Sequence, residues 1–111
     1  MISFGINGFG RIGRTACRVW WLEDQHDLDL KMINTSGSME LDDWAYLLKR
    51  DTNYGEFQAE VTTDVHQSKN DVSDQDPVLG TITLKDKNGY KKILITAQRN
   101  PDKLPWGDNG V

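Results

Sequence analysis

The sequence has little cysteine, little proline and no long hydrophobic run. Cys17 is the only cysteine among 111 residues, which excludes an intramolecular disulfide and favours a reducing compartment. No stretch approaches the ~20 apolar residues of a membrane-spanning helix, and no secretory signal pattern opens the chain. The formal net charge is −4, which argues against a nucleic acid or an anionic membrane as the main partner. Together these absences predict a cytoplasmic protein.

Side chains suited to catalysis or metal binding are also sparse. Cys17, His26 and His66 stand apart in the sequence and share no motif, so no cysteine–histidine pair for nucleophilic catalysis is predicted. The carboxylates within residues 71–76 lack the spacing, glycine and terminal glutamate of a calcium loop. We therefore expect no metal site, and we interpret Cys17 as a small packing residue within a helix.

The sequence does contain a glycine-rich turn near its start. Residues 8–13 read GFGRIG, and they follow a short apolar strand and precede a helical pattern. Gly8 suits a tight turn, Gly10 suits close approach of a pyrophosphate, and Gly13 suits contact between helix and sheet. The N–H groups of the first helical turn and the helix dipole then face the phosphates. This context predicts a dinucleotide-binding turn.

Hydrophobic periodicity divides the chain into strands and helices. Strands are expected over 2–6, 28–33, 57–63, 78–84 and 90–97, and helices over 11–23 and 40–49. The buried face of the first helix is predicted from apolar residues at helical spacing, namely Ile12, Ala16, Val19 and Trp20. Since the adjacent Trp20 and Trp21 point in different directions, one of them is expected to meet another domain or subunit.

The order of these elements indicates the fold class. A helix between the first two strands makes those strands parallel, and residues 87–89 have the chemistry of a hairpin turn. Residues 64–77 are polar and acidic and are expected to form an exposed loop. The predicted class is α/β, a partial doubly wound sheet of the Rossmann type with β-α-β-α-β order plus an antiparallel hairpin. Because such domains need more parallel strands, we expect residues 1–111 to be a cofactor-binding domain incomplete at its C-terminus, without the catalytic domain.

Three blocks of the sequence coincide with one known family. Residues 4–14 read FGINGFGRIGR, residues 47–57 read LLKRDTNYGEF, and residues 98–108 read QRNPDKLPWGD. In order and spacing they resemble the phosphorylating glyceraldehyde-3-phosphate dehydrogenases. The resemblance implies oxidation of glyceraldehyde 3-phosphate to 1,3-bisphosphoglycerate with NAD or NADP, by a homotetramer when the protein is full length.

The same resemblance implies that the catalytic groups are missing from these residues. The family's nucleophilic cysteine, in a Ser-Cys-Thr-Thr segment, and its base histidine have no counterpart here, and both are expected to lie beyond Val111. We therefore expect no catalytic residue within residues 1–111, and we expect this chain alone to be inactive.

The resemblance also implies a set of cofactor-binding residues. Arg11 and Ile12 match backbone contacts to the pyrophosphate, and Asn7 matches the floor of the same turn. Arg99 matches an arginine beside the adenine; without the resemblance it would be interpreted as a surface residue capping a strand. The complete predicted set is Asn7, Gly8, Gly10, Arg11, Ile12, Asn34, Thr35 and Arg99.

One position departs from the family pattern in a way that bears on the cofactor. Thr35 stands where the family commonly has Asp, the residue that binds the ribose 2′-hydroxyl of NAD. A carboxylate there would repel a 2′-phosphate, whereas the hydroxyls of Thr35, Ser36 and Ser38 can donate hydrogen bonds to it. One hypothesis is that NADP is accepted beside NAD. The alternative is a neutral turn that binds NAD through Asn34 and backbone groups, since no arginine in the turn could clamp a phosphate.

Two further functions fit the sequence. Erythrose-4-phosphate dehydrogenases have a similar N-terminal motif, and their distinguishing residues lie in the substrate domain. A non-catalytic dinucleotide-binding module is the second. In all three cases the expected partner is a dinucleotide, with no nucleic acid, membrane or metal.

Overall fold

The computed structural model describes residues 2–23, 28–50, 59–86 and 89–99. The elements in this part of the chain are β1 (Ile2–Asn7), α1 (Arg11–Glu23), β2 (Leu28–Asn34), α2 (Leu41–Lys49), β3 (Glu60–Val65), β4 (Val78–Asp86) and β5 (Gly89–Thr96). Each predicted strand and helix is therefore present, with boundaries that differ by three residues or fewer.

Some of the expectations concern residues outside the described part. These are His26, Trp106, the hairpin tip at 87–88, and most of the 47–57 and 98–108 blocks. Val111, beyond which the nucleophile and the base are expected, also lies outside the described residues. The placement of those two catalytic groups after Val111 therefore stays a prediction.

The strands form one mixed sheet in the order β1-β2-β5-β4-β3. β1, β2 and β5 run parallel, while β4 pairs antiparallel with both β5 and β3. Asn7 is paired with Asn34, and Asn34 with Thr96. The carboxyl ends of the three parallel strands therefore meet at one edge, which is where open α/β sheets bind ligands. The predicted α/β class with an antiparallel hairpin is confirmed.

The third strand lies further along the chain than predicted. It was expected over 57–63, but β3 is Glu60–Val65, with residues 57 and 58 outside the described part. Asp64 and Val65, expected in a loop, pair with Thr81 and Gly80 of β4. Pairing with a long neighbouring strand thus extends β3 through residues whose own polarity suggested a loop.

The buried face of α1 shares only Trp20 with the predicted one. Ile12 is 86% exposed and Val19 is 51% exposed, and Ala16 is exposed as well. The buried side runs instead from Gly13 through Cys17 to Trp20 and Trp21, the spacing of successive helical turns. The contact of Gly13 with the preceding turn fixes the rotation of the helix, and periodicity alone did not reveal that contact.

Both adjacent tryptophans are buried in this chain, so the expectation that one of them meets another domain or subunit was wrong. Their ring centroids lie 6.0 Å apart, and Trp20 contacts Phe4 edge-on at 6.2 Å. Successive residues of a helix point about 100° apart, which is the width of an ordinary apolar stripe. Two large indoles at the margins of one stripe therefore both reach the core.

The second helix packs against β3 and β4. Its first turn carries Asp42 and Asp43 and its last turn Lys49, charges that suit the helix dipole. The buried guanidinium of Arg18, on α1, donates to the Lys49 carbonyl at 3.5 Å and links the two helices. Neither helix among the described residues is long and apolar enough to cross a membrane.

Candidate functional site

The turn between β1 and α1 is anchored on both sides. Gly8 has a φ of +107°, a conformation that favours glycine, and its N–H donates to the Asn34 carbonyl at 2.8 Å. The Phe9 side chain is buried, with its ring 5.9 Å from that of Trp44 on α2. The core and the neighbouring strand thus hold the turn in place before any ligand arrives.

The start of α1 lies directly on this turn. A Cβ added to Gly13 would stand 2.0 Å from the Gly8 carbonyl oxygen, so only glycine fits there. A Cβ added to Gly10 would meet nothing within 4 Å, so protein packing does not explain that glycine. Open space at Gly10 is what close approach of an external group requires.

The first turn of α1 follows directly after Gly10. The first α-helical hydrogen bond of α1 runs from the Arg14 N–H to the Gly10 carbonyl, at 2.9 Å. The amides of Arg11, Ile12 and Gly13 come earlier, where an α-helix offers no internal acceptor. No acidic residue occurs in this turn, so the positive end of the helix dipole is not neutralised and favours an anion.

Asn34 joins the carboxyl ends of the three parallel strands. Its amide nitrogen donates to Asn7 Oδ1 at 3.0 Å and to the Gln98 carbonyl at 3.1 Å. Its amide oxygen accepts from Thr96 Oγ1 at 2.7 Å and from the Gln98 N–H at 2.8 Å. The buried side chain therefore uses both donors and both acceptor positions within the protein, and it shapes the site rather than offering a free group.

Thr35 is likewise engaged within the protein. Its hydroxyl donates to the Thr96 carbonyl at 2.9 Å and accepts from the Gly37 N–H at 3.2 Å, and the residue is 2% exposed. A hydroxyl has one proton, so in this arrangement Thr35 has none to donate to a 2′-phosphate. Ser36 and Ser38 are exposed, with hydroxyl oxygens 2.9 Å apart. The structure leaves these two hydroxyls at the surface of the turn.

Arg99 follows β5 at the same edge of the sheet and is exposed. It lines a cavity of about 370 Å³, and the described residues that line this cavity are Lys69, Asn70, Val72, Ser73, Asp74, Ala97 and Arg99. The loop 66–77 forms most of its wall. Sequence reasoning missed these loop residues because a polar segment without periodicity gives no sign of which surface it covers.

Hydrogen bonds hold that loop against the sheet edge. The Glu40 carboxylate, just before α2, accepts from the Ser68 hydroxyl at 2.8 Å and from the Lys69 N–H at 2.9 Å. The Gln98 amide donates to the Asp74 carbonyl at 3.2 Å. In the structure Glu40 precedes α2 and makes no side-chain cap to it, which leaves its carboxylate available to the loop.

The predicted site residues thus fall into two neighbouring groups. Asn7, Gly8, Gly10 and the backbone of Arg11 and Ile12 form the turn. Asn34 and Thr35 stand behind that turn, and Arg99 lies beside it at the end of β5. Among the residues that the structure describes, no three His, Cys, Asp or Glu side chains come together as a metal site.

Cys17 has no nucleophilic role in this geometry. Burial raises the pKa of its thiol to about 12, although the neighbouring Arg18 acts in the opposite direction. The thiol is therefore protonated at neutral pH and shielded from solvent.

His66, the other candidate among the described residues, lies 2.8 Å from Asp76. This hydrogen bond lowers the pKa of the Asp76 carboxyl.

We expect Cys17 to be unreactive toward iodoacetamide or a disulfide reagent at pH 8 in the folded protein. The reason is that a thiol with a pKa of about 12 forms almost no thiolate at that pH. Mass spectrometry of peptides that contain Cys17 measures the modified fraction. In 6 M guanidinium chloride, as a positive control, the same thiol is expected to react within minutes; equal reaction rates in both conditions would contradict its burial.

Comparison with known proteins agrees with this geometry. A family model described as "Glyceraldehyde 3-phosphate dehydrogenase, NAD binding domain" matches residues 2–111. The chain is 34% identical over 113 residues to glyceraldehyde-3-phosphate dehydrogenase of Haemophilus influenzae, covering 99% of this chain and 26% of that protein. It is 34% identical over 110 residues to the cytosolic enzyme of Ginkgo biloba and 36% identical over 111 residues to the plasmid-encoded enzyme of Cupriavidus necator, covering 99% of this chain and 27% of each enzyme.

The chain thus spans about a quarter of the length of these relatives. The family model that matches residues 2–111 describes an NAD-binding domain, and the structure places the glycine turn and the start of α1 at the carboxyl edge of the parallel strands β1, β2 and β5. The chain belongs to the glyceraldehyde-3-phosphate dehydrogenase family.

Proposed function

We propose that the chain is the cofactor-binding part of a phosphorylating glyceraldehyde-3-phosphate dehydrogenase, which oxidises glyceraldehyde 3-phosphate to 1,3-bisphosphoglycerate. The observation that carries the proposal is the first turn of α1, whose first three amides have no acceptor within the helix. They follow Gly10, where an added Cβ would meet nothing within 4 Å, and a turn held by Phe9 and Asn34. Family membership supports the substrate and the reaction. As in other enzymes of this kind, a cytoplasmic homotetramer is proposed for the complete protein.

In this proposal the turn binds the dinucleotide through its pyrophosphate. The amides of Arg11 and Ile12 donate to phosphate oxygens, and the missing side chain at Gly10 lets the phosphates approach the backbone. Asn7 forms the floor of the turn, and Asn34 and Thr35 keep the three strand ends in register. When bound, the nicotinamide supplies a hydride acceptor. The role of these residues is to position it, since a misplacement of 1 Å costs an enzyme a large part of its rate.

The nucleophile and the base for the aldehyde step come, in this proposal, from residues beyond Val111. Cys17 is the sole cysteine of these 111 residues, and its buried thiol with a pKa of about 12 is unsuited to attack an aldehyde. We therefore expect the isolated chain to bind cofactor and to show no dehydrogenase activity.

The cofactor proposal covers both NAD and NADP. The match to an NAD-binding domain supports NAD. For NADP, the supporting feature is the absence of a carboxylate at Thr35, because an acidic residue there would repel a 2′-phosphate. Since the Thr35 hydroxyl is engaged with Thr96, any attraction for that phosphate must come from other groups.

A pair of variants at Arg11 tests the amide contact. Arg11→Ala removes the side chain and keeps the amide, while Arg11→Pro removes both. Proline is tolerated at the first position of a helix, so both proteins should fold. We expect the Kd for NAD of the Pro variant to exceed that of the Ala variant by ~10-fold, the effect of losing one hydrogen bond to a charged group. Titration of the complete protein by calorimetry measures this ratio.

Equal affinities for the two Arg11 variants, with unchanged circular dichroism, would mean that the Arg11 amide does not bind the cofactor. The reaction itself is tested with the complete protein, phosphate and NAD, with glyceraldehyde 3-phosphate and erythrose 4-phosphate as competing substrates. A higher kcat/KM for erythrose 4-phosphate would contradict the proposed substrate. Dinucleotide binding without turnover of either aldehyde would indicate a non-catalytic module.

A further inference from the structure

The cavity beside β5 is lined by two positive charges that have no acidic partner among the described residues. Arg99 makes no hydrogen bond or ion pair to another described residue, and Lys69 Nζ bonds only the neutral Asn70 amide oxygen, at 3.3 Å. The two cations come from different segments, the loop 66–77 and the end of β5, and they line the same space. Unpaired cations that converge on a polar cavity favour a multiply charged anion.

This cavity adjoins the turn that follows β2. Ala97 lines the cavity, and a Cβ added to Gly37 would lie 3.4 Å from the Ala97 Cβ. The Thr35 N–H donates to the Thr96 carbonyl at 2.8 Å, which brings the end of β2 against the end of β5. In dinucleotide-binding sheets, the residue at the end of the second strand is the one that meets the ribose 2′ position. The cavity that the two cations line therefore adjoins the turn that carries this position.

We infer that the Lys69–Arg99 cavity binds the 2′-phosphate of NADP, an inference that rests on the proposed dinucleotide function. Lys69 and Arg99 supply the positive charge, and Ser73 lines the same cavity and adds a hydroxyl. The exposed Ser36 and Ser38 add two more at the adjoining turn. Cations from outside the β2 turn thus take the place of the arginine that the turn itself lacks.

Two carboxylates near the cavity limit its charge. Asp74 belongs to the lining, so the three ionised lining residues give the cavity a formal charge of +1. The Glu40 carboxylate already accepts two hydrogen bonds from the loop that carries Lys69. Because the positive excess is a single charge, removal of either cation should remove most of the preference for the 2′-phosphate.

The test compares NADP and NAD binding to the complete protein and its Lys69→Met variant. We expect Lys69→Met to raise the Kd for NADP by ~10-fold, the effect of losing one charge-assisted hydrogen bond, and to change the Kd for NAD less than twofold. Arg99→Met should weaken NADP more than NAD. Lys92→Met is the matched control, since Lys92 is an exposed lysine on β5 outside the cavity. It should change neither constant.

Two small ligands isolate the 2′-phosphate. We expect 2′,5′-ADP to bind the wild-type protein more tightly than 5′-AMP, and Lys69→Met to abolish that difference. If the two nucleotides bind equally well, or if Lys69→Met weakens NAD and NADP alike, the inference is overturned while the proposed function stands. If the wild-type protein binds neither dinucleotide, the proposed function fails as well.

Discussion

Replacing Gly13 by alanine is expected to lower the free energy of unfolding by about 3 kcal/mol, the upper range for overpacking a filled site. In an exposed helix the same change from glycine to alanine raises the free energy of unfolding by about 1 kcal/mol. At Gly13 we expect this free energy to fall instead. The added Cβ would stand 2.0 Å from the Gly8 carbonyl oxygen and 3.3 Å from the Ile6 side chain. The helix must shift away from the turn to relieve this overlap. Urea denaturation followed by tryptophan fluorescence measures the change.

Gly10→Ala is the matched control for this prediction. Its Cβ meets nothing within 4 Å, and Gly10 does not need a positive φ. The free energy of unfolding should therefore change by less than about 1 kcal/mol. Its affinity for dinucleotide should fall, because the methyl group occupies the space through which the phosphates approach. Wild-type stability of the Gly13→Ala protein would contradict the close contact between α1 and the turn.

The second large effect is expected for Asn34→Ala, which should cost about 3 kcal/mol of unfolding free energy. The substitution removes four hydrogen bonds that link β2 to β1, to β5 and to Gln98 just beyond β5. It leaves the fully buried Thr96 hydroxyl and the Gln98 N–H without their acceptor, and each buried unsatisfied group costs about 1–3 kcal/mol. Chemical denaturation gives the magnitude, and hydrogen exchange of the Gln98 amide reports the loss locally.

Asn70→Ala provides the comparison for Asn34. Asn70 is exposed and its side chain accepts only from Lys69, so its removal should change stability by less than about 0.5 kcal/mol. If Asn34→Ala were equally harmless, the three strand ends would be held together by backbone pairing alone. The positions of Gly8 and Thr35 would then not depend on this side chain.

The glycine turn and its flanking elements were predictable because their cause is local. Gly8 adopts a φ of +107°, and α1 begins soon after β1 ends. Both features follow from the residues of this segment itself. The parallel pairing of β1 and β2 was also predictable, since a helical crossover permits little else. The same holds for the hairpin of β4 and β5, which neighbour each other in sequence.

The rotation of α1 was not predictable from periodicity. The apolar residues Ile12, Ala16 and Val19 form a regular stripe, yet they are exposed. A competing stripe through Cys17 and the tryptophan pair is buried. Both stripes satisfy the helical repeat, and the contact between Gly13 and Gly8 selects one of them.

By itself the sequence determined the order of the elements, the glycine turn before α1 and the family, because each depends on residues that are neighbours in the chain. The tertiary structure alone decided what the side chains of the site do. Asn34 and Thr35 were predicted as ligand contacts, but they are occupied by partners more than 60 residues away in β5 and just beyond it. Lys69 and Arg99 line one cavity because the loop 66–77 folds back onto the sheet edge. Hydrogen bonds and charges act over a few ångströms of space, and distance along the sequence does not reveal which groups come that close.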